Sequence, residues 1–562
     1  MSEVFKINNR ELVYLPGETV LQAARRHNIF IPTLCYHPDF PSKGNCRLCL
    51  VEVVRDQRKQ VVSACSTPIE SGLEVFLDTP KIKRLRRTNL ELLFAEHVEK
   101  CATCKLRFNC PLLTLVKQYR VKITRFPDRK KNRTNHNFPP SIENDSSQCI
   151  DCRLCLDACN KLQKLNCLEL KGHGANQEIV PTKNPCTFCG QCVTHCPVDA
   201  ISEQISYPAV NKILGDKNKI VIAQFAPSIR AAIGEEFAMP YDDKMTGRVI
   251  AGLKKLGFNY VFDVNFGADI TTITEAEELI ERLNDKKAIF PMMTSCCPAW
   301  VRYVESRRPD LIPNLTSARS PHIHLGGVIK TYWADKLKLD PKNIVIVSVM
   351  PCTAKKYEAT RTEFKIKGLA PVDYVITTRE FALMMREARI NFTKLEPKAG
   401  DLIWNDGSGA AAIYGASGGV MESALRTAVW TLEKKKSLAK LEFKEVRGVA
   451  GIKESIVKVA GRNLRIAVVN GLGNIDKVLN HLSDYDYIEV MSCPGGCIGG
   501  GGQPAPVSAE IRAKRMAALY SIDSQQQVRR AHENLEAVTI VEYVKKIGLA
   551  ESVLHTSFKG KK

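Results

Sequence analysis

The first residues, MSEVFKINNRELVY, follow an alternating strand pattern, and EVFKINN, RKQVVSAC and LEVFLDT within the first eighty residues read as short strands. KIKRLRRTNLELLFAEH follows with apolar residues at helical spacing, and reads as an amphipathic basic helix delivering His97 at its end. The polar stretch FPDRKKNRTNHNFPPSIEN is punctuated by Pro and Asn and reads as a linker whose basic run faces solvent. From about Tyr207 the texture changes to continuous β-branched runs between helical patterns: KIVIAQFAPSIRAAIG, YVFDVNFGADI, KAIFPMMTSCCPAW, NIVIVSVMPCTAKKYE, LRIAVVNGLGN and YIEVMSCPGGC. Such runs predict α/β layering with largely parallel strands. Three of them end in a methionine and then a cysteine in a Pro or Gly setting. Ligands collect where parallel strands give way to loops at their carboxyl ends, so three remote loops are expected to converge on one site.

With 562 residues, the chain is too long for one core and should divide into several domains. No run of eighteen apolar residues appears, and the N-terminus opens directly on a strand pattern; a soluble, unexported, cytoplasmic protein with no membrane association is expected. The formal charge of +21 would ordinarily suggest nucleic acid. Five iron-sulfur centres would bring roughly −9, leaving about +12, so an acidic protein partner is the simpler expectation and nucleic acid is not.

Most of the 21 cysteines fall in C-x2-C groups, which argues for metal rather than disulfides. Cys35, Cys46, Cys49 and Cys65 come first; their module resembles the ferredoxin-like domain of complex-I-type and hydrogenase chains, which carries a 2Fe-2S cluster. His97, Cys101, Cys104 and Cys110 suit a histidine-ligated 4Fe-4S cluster, and a structural zinc suits both sets on local spacing. Cys149, Cys152, Cys155 and Cys159, then Cys186, Cys189, Cys192 and Cys196, form the two-cluster ferredoxin repeat, whose fourth cysteine serves the other cluster. Cluster one should therefore take Cys149, Cys152, Cys155 and Cys196, and cluster two Cys186, Cys189, Cys192 and Cys159. Six cysteines remain: Cys167, which reads as packing, Cys296, Cys297, Cys352, Cys493 and Cys497. One further 4Fe-4S cluster needs four. Successive side chains of an extended segment point to opposite faces, so only one of the vicinal pair Cys296 and Cys297 is expected to serve it; spacing does not choose which.

TSCCPAW, MPCTAKKYE and MSCPGGCIGGGGQP resemble the three signature segments of the FeFe hydrogenases, and the module order is similar to the large clostridial type along nearly the whole chain. The resemblance implies a multidomain α+β and α/β protein: N-terminal ferredoxin-like modules (1–80, 81–125 and 141–206) ahead of a catalytic domain of two α/β lobes with largely parallel sheets (207–562). It implies that Cys297, Cys352, Cys493 and Cys497 hold a 4Fe-4S cluster, with Cys497 bridging to a diiron site carrying CO, cyanide and an azadithiolate. The cofactors would total one 2Fe-2S cluster, four 4Fe-4S clusters and the diiron unit. Cys296 then becomes the thiol that passes protons to the bridge amine, and the relay continues through Glu275, Thr316 and Glu278. Glu275 and Glu278 share a helix face at i and i+3; Glu277 does not. Lys355 would pair with a cyanide, Ser228 with Pro227 would contact another, and Met350 and Met491 would flank the diiron site. Implied partners are ferredoxin or a similar acidic carrier, H2 and protons, and hydrogenase maturation proteins. Ala299, Ala354, His322 and Thr316 depart from the commonest family residues.

Two other classes compete. A non-catalytic iron-sulfur assembly or sensory relative would be expected to lose the spare thiol or the lysine, and both are kept. A dehydrogenase subunit would want a Gly-x-Gly-x-x-Gly segment after a strand, and the nearest fragment, VVNGLGNIDK, lacks it.

Overall fold

The computed structural model describes residues 4–55, 57–401, 407–433 and 441–561. The alternating N-terminal stretches pair into a five-stranded sheet in the order Arg10–Val13, Val4–Ile7, Glu74–Phe76, Leu50–Arg55, Arg58–Ser63. Helix Val20–Arg26 starts on a Thr19–Gln22 capping box and buries Val20, Leu21, Ala23 and Ala24 in the same apolar cluster as Phe5, Val51 and Val53. The basic helix forms over Pro80–Ala95, with Thr79 capping and proline in its first turn, and His97 lies just beyond its end. The ferredoxin segment is held by two antiparallel pairs, Ile142–Asn144 with Ile201–Glu203 and Leu168–Lys171 with Glu178–Pro181.

The linker's basic run departs from the solvated reading. Lys130 is buried, and its ammonium pairs with Glu96 at 2.9 Å and Asp151 at 2.8 Å. The run thus binds the His97 helix to the ferredoxin repeat.

The remaining chain builds two four-stranded sheets. One is wholly parallel, in the order Tyr260–Asp263, Ile220–Phe225, Ile344–Met350, Tyr374–Thr377. Every residue of Ile344–Met350 is buried, as expected of a strand covered on both faces. The other runs Met292–Met293, Tyr487–Met491, Arg462–Asn470, Ile452–Val459, with only the last pairing antiparallel. The KAIFPMM run contributes just two paired residues, because Pro291 has no amide hydrogen to offer a ladder. Helix Asn265–Asn284 packs against helices Pro321–Val328 and Gly419–Leu432. Its first half is buried all round, so position on the helix, not polarity, decides which of its glutamates reach solvent. Among the described residues no helix is long and apolar enough to cross a membrane.

Candidate active site and cluster-binding positions

The carboxyl ends of four parallel strands meet. Ile220–Phe225 leads into Pro227 and Ser228, Met292–Met293 into Cys296 and Cys297, Ile344–Met350 into Cys352, and Tyr487–Met491 into Cys493 and Cys497. All of these, with Met350, Met491, Lys355 and His322, line one apolar cavity. Gln503 ties two of the loops together by donating to Ser228 O at 3.1 Å and Cys497 O at 3.4 Å. The hydroxyls of Ser228 and Ser492 are buried with no partner among the described residues, and the thiols of Cys297, Cys352, Cys493 and Cys497 act on one another electrostatically. A cavity lined by two methionines, four mutually interacting thiols and two serines with orphaned hydroxyls fits a soft metal cluster carrying hydrogen-bond acceptors.

Lys355 is buried. Desolvation pulls its ammonium down, but Glu358 and the nearby thiols outweigh this and leave it raised. It donates to Glu358 Oε2 at 2.6 Å and to Cys296 O at 3.1 Å. The same carboxylate oxygen accepts from Ser320 Oγ at 3.0 Å and meets His322 Nε2 at 2.5 Å.

Four further donor sets lie toward the N-terminus. Cys35, Cys46, Cys49 and Cys65 are all buried, with Cys35 beside Cys46 and Cys49 beside Cys65. Cys101, Cys104 and Cys110 act on one another, and Cys101 Sγ lies 3.6 Å from His97 O; the Nε2 of His97 is buried without a partner among the described residues. Burial first, then Lys100 and Lys130, lower that imidazole to about 4, so it is neutral at pH 7, as a ligand must be. Cys149, Cys152, Cys155 and Cys196 line one small cavity. Cys159, Cys189 and Cys192 act on one another, and Cys186 contacts Cys167 beside Cys159. Each set could hold the cluster its spacing suggests.

Of the relay positions, two are joined directly: Thr316 Oγ1 donates to Glu278 Oε2 at 2.7 Å. Glu275 is buried, takes a 2.7 Å hydrogen bond from Tyr487 OH on Oε1, and has no partner on Oε2 among the described residues. Burial pushes its carboxyl up to about 8 against that lowering hydrogen bond. Cys296 is buried too; desolvation and then the neighbouring Glu275 raise its thiol. No hydrogen bond between Cys296 and Glu275 is present among the described residues. Glu277, on the other face, is half exposed and pairs with Lys545 at 2.7 Å.

Residues 219–501 match the family described as iron only hydrogenase large subunit, C-terminal domain. The chain belongs to the iron-only, or FeFe, hydrogenases. Residues 4–80 match a 2Fe-2S iron-sulfur cluster binding domain, 86–125 an NADH-ubiquinone oxidoreductase-G iron-sulfur binding region, 180–202 a 4Fe-4S binding domain and 509–561 the iron hydrogenase small subunit. The hydrogenase is 39% identical to iron hydrogenase 1 of Clostridium pasteurianum, covering 96% of this chain and 97% of that one. It is 38% identical to an NADP-reducing hydrogenase subunit of Solidesulfovibrio fructosivorans, covering 96% of each. The structure of a FeFe-hydrogenase variant from Chlamydomonas reinhardtii is similar with a TM-score of 0.57 at 34% identity, over 63% of this chain and 99% of that one. The cytosolic iron-sulfur assembly component 3 of Bos taurus is 31% identical over only 57% of this chain, the weaker likeness. The hydrogenase is therefore an iron-sulfur enzyme of the clostridial type with H2 and proton chemistry.

Several residues of the hydrogenase site escaped sequence reading. Ser317 donates to Glu278 through both its amide and its hydroxyl at 2.8 Å and also meets His555 Nδ1 at 2.9 Å. Arg282 pairs with Glu278 at 2.6 Å; its i+4 spacing was a usable signal. Glu358 stands three residues after Lys355 on the helix Ala354–Ala359, an i+3 spacing that was equally usable; Tyr487 comes from a remote segment and had none. Ala299 and Ala354 are fully buried beside the loops. Cys167 is buried, as packing requires, and also receives Arg307 Nη2 at 3.4 Å.

The ferredoxin repeat of the hydrogenase abuts the glycine run of the last signature segment backbone to backbone. A Cβ on Gly501 would lie 2.6 Å from Gly190 Cα and 2.7 Å from Cys189 O, while Thr353 Oγ1 donates to Phe188 O at 2.7 Å. Since neither obstacle can rotate away, Gly501→Ala is expected to cost about 1–3 kcal/mol through overpacking and to slow electron delivery to the catalytic lobes. Anaerobic urea unfolding and carrier-driven H2 evolution measure the two effects; unchanged values in both would contradict the close packing.

Proposed function

We propose that this hydrogenase interconverts 2H+ and 2e− with H2 in the cavity where its strand ends meet. The reading is carried by one arrangement: Cys297, Cys352, Cys493 and Cys497 line that cavity with a fifth thiol, Cys296, and a buried cation, Lys355. Cys297, Cys352, Cys493 and Cys497 would hold a 4Fe-4S cluster, and Cys497 would also hold a diiron unit bearing CO, cyanide and an azadithiolate. When bound, that unit supplies the redox metal at which H2 is formed or split. Lys355 and Ser228, next to Pro227, hold anionic and accepting ligands in place, and Met350 and Met491 keep water out. Cys296 gives and takes the proton at Sγ, and Glu275, Thr316 and Glu278 carry it onward as general acids and bases. Ser317 and Arg282 orient Glu278 for this.

Electrons pass through one 2Fe-2S cluster on Cys35, Cys46, Cys49 and Cys65, a 4Fe-4S cluster on His97, Cys101, Cys104 and Cys110, and the two ferredoxin-type clusters in their crossed ligand sets. With the catalytic cluster this makes four 4Fe-4S clusters, in units spanning 1–80, 81–125, 141–206 and 207–562. The basic charge favours an acidic carrier such as ferredoxin in the cytoplasm, whose delivery rate falls as ionic strength rises. Likeness to a subunit of an NADP-reducing hydrogenase supports a second reading, in which a partner subunit supplies the electrons; turnover with ferredoxin alone separates the two. Maturation proteins install the diiron unit. An anaerobic infrared spectrum of the matured protein is expected to contain metal-bound CO and cyanide stretches that respond to H2. Their absence, with maturation working on a control hydrogenase, would reject the reading.

Glu275 also has a pH signature. Its native carboxyl keeps a proton up to about 8, against an ordinary value of 4.5, so between those values the folded state binds more protons than the unfolded one. Its contribution to stability therefore falls as pH rises through that window. Glu275→Gln is expected to flatten this decline, measured by urea midpoints from pH 5 to 8, while lowering turnover by roughly 10²–10⁴-fold.

A further inference from the structure

His37, Asp39 and His195 come together from two modules, the first two from the 2Fe-2S segment and the third from the ferredoxin repeat. One ligand atom from each lies within 4.8 Å of the other two. The imidazole rings are 4.4 Å apart between centroids, and Phe40 packs on both at 5.5 and 5.0 Å. Both histidines are at least nine-tenths buried, at 4% and 3% exposure, and the Nε2 of each has no hydrogen-bond partner among the described residues. Two orphaned ring nitrogens side by side are a cost that native interiors rarely bear without a ligand.

The surroundings are those of a ligand set. His195 Nδ1 lies 2.6 Å from Gln191 O; donating there leaves the Nε2 lone pair free, the usual outer-shell arrangement of a metal-bound histidine. Asp39 Oδ2 is held by Arg512 at 2.9 Å, which fixes the carboxylate from a third part of the chain. His37 Nδ1 accepts from the Asp39 amide at 3.3 Å; a metal on Nε2 requires the ring proton to move to Nδ1, so binding exchanges this long hydrogen bond for the metal-ligand bond.

We propose that His37, Asp39 and His195 bind one divalent metal ion of the zinc class, clamping the 2Fe-2S module to the ferredoxin repeat. Two imidazoles and one carboxylate form a common three-ligand set for such ions, with a fourth position for water. Metal-ligand bonds of about 2.0–2.1 Å put tetrahedral ligands roughly 3.4 Å apart, which small side-chain rotations supply from the present spacing. The site lies outside the catalytic cavity and is independent of the proposed reaction.

The test uses the matured full-length protein, purified anaerobically, treated with a chelator that leaves its iron content unchanged, given two equivalents of zinc and desalted. One zinc per chain is expected by elemental analysis, and X-ray absorption at the zinc edge should give nitrogen and oxygen neighbours at about 2.0 Å with imidazole scattering. Asp39→Asn and His37→Gln should each weaken zinc retention at least about tenfold with iron content as in the parent. Failure to retain zinc, a sulfur first shell, or equal retention in the parent and an iron-replete variant would each overturn the site. The absorption experiment on the parent decides the matter even if a variant fails to assemble.

Discussion

Cys296→Ala is expected to leave iron content and the CO and cyanide infrared bands intact while cutting H2 turnover by roughly 10²–10⁴-fold, the usual worth of a positioned proton-transfer group. Cys297→Ala, one residue away, is expected to do the opposite: iron and infrared bands are lost together with activity. The contrast follows from their surroundings. Cys296 is buried beside Glu275, which acts on its thiol more strongly than any other charged group. Cys297 precedes the helix Pro298–Arg307 at its N-cap position and acts electrostatically on Cys352, Cys493 and Cys497. Near-normal turnover in Cys296→Ala, assayed by H2 evolution beside iron analysis and infrared spectra, would sink the relay assignment.

The second large effect is expected at Lys355. Its ammonium, the imidazole of His322 and the hydroxyl of Ser320 converge on Glu358 Oε2. Burial acts to raise that carboxyl, but Lys355 and His322 hold it at about 2. Lys355→Met removes the cation and strands a buried carboxylate, at a cost on the order of 3 kcal/mol. It also removes the charge facing the proposed cyanide, so the diiron infrared bands should weaken or vanish. His322, lowered to about 4 chiefly by burial and next by Lys355, would then take up a proton and soften the loss. Lys355→Met combined with His322→Gln should therefore be less stable than the two single changes predict together. Anaerobic urea unfolding read beside the infrared spectrum checks both halves; full bands and an unchanged midpoint would refute them. The network also gives the unusual His322 a role: it is the neutral partner that lets Glu358 stay ionised between two donors.

Much of this hydrogenase was legible in the chain because cluster ligation leaves local marks. C-x2-C groups place thiols one turn apart, and continuous apolar runs announce parallel strands, so the ferredoxin repeat, the α/β halves and the convergence of three cysteine loops could be read from spacing alone. The choice of Cys297 over Cys296 could not, since both follow the same strand and spacing treats them alike; it came from resemblance, and the structure sets the two in different surroundings. Other matters were decided by tertiary packing. Residue type treats Glu275, Glu277 and Glu278 alike, yet Glu275 is buried against Tyr487 while Glu277 is half exposed. Tyr487, Ser317 and His555 come from segments far from Glu275 and Glu278 in sequence, and no local pattern links them; His322 and Ser320 are likewise remote from the Lys355–Glu358 pair they join. The basic linker could be read only as solvated until its Lys130 was found between Glu96 and Asp151. The sequence by itself determined which chemistry the chain can hold, because metal ligation depends on residue type and short spacing. Only the tertiary structure decided which polar groups are buried, paired or left without partners, because burial and pairing depend on surfaces contributed by remote segments.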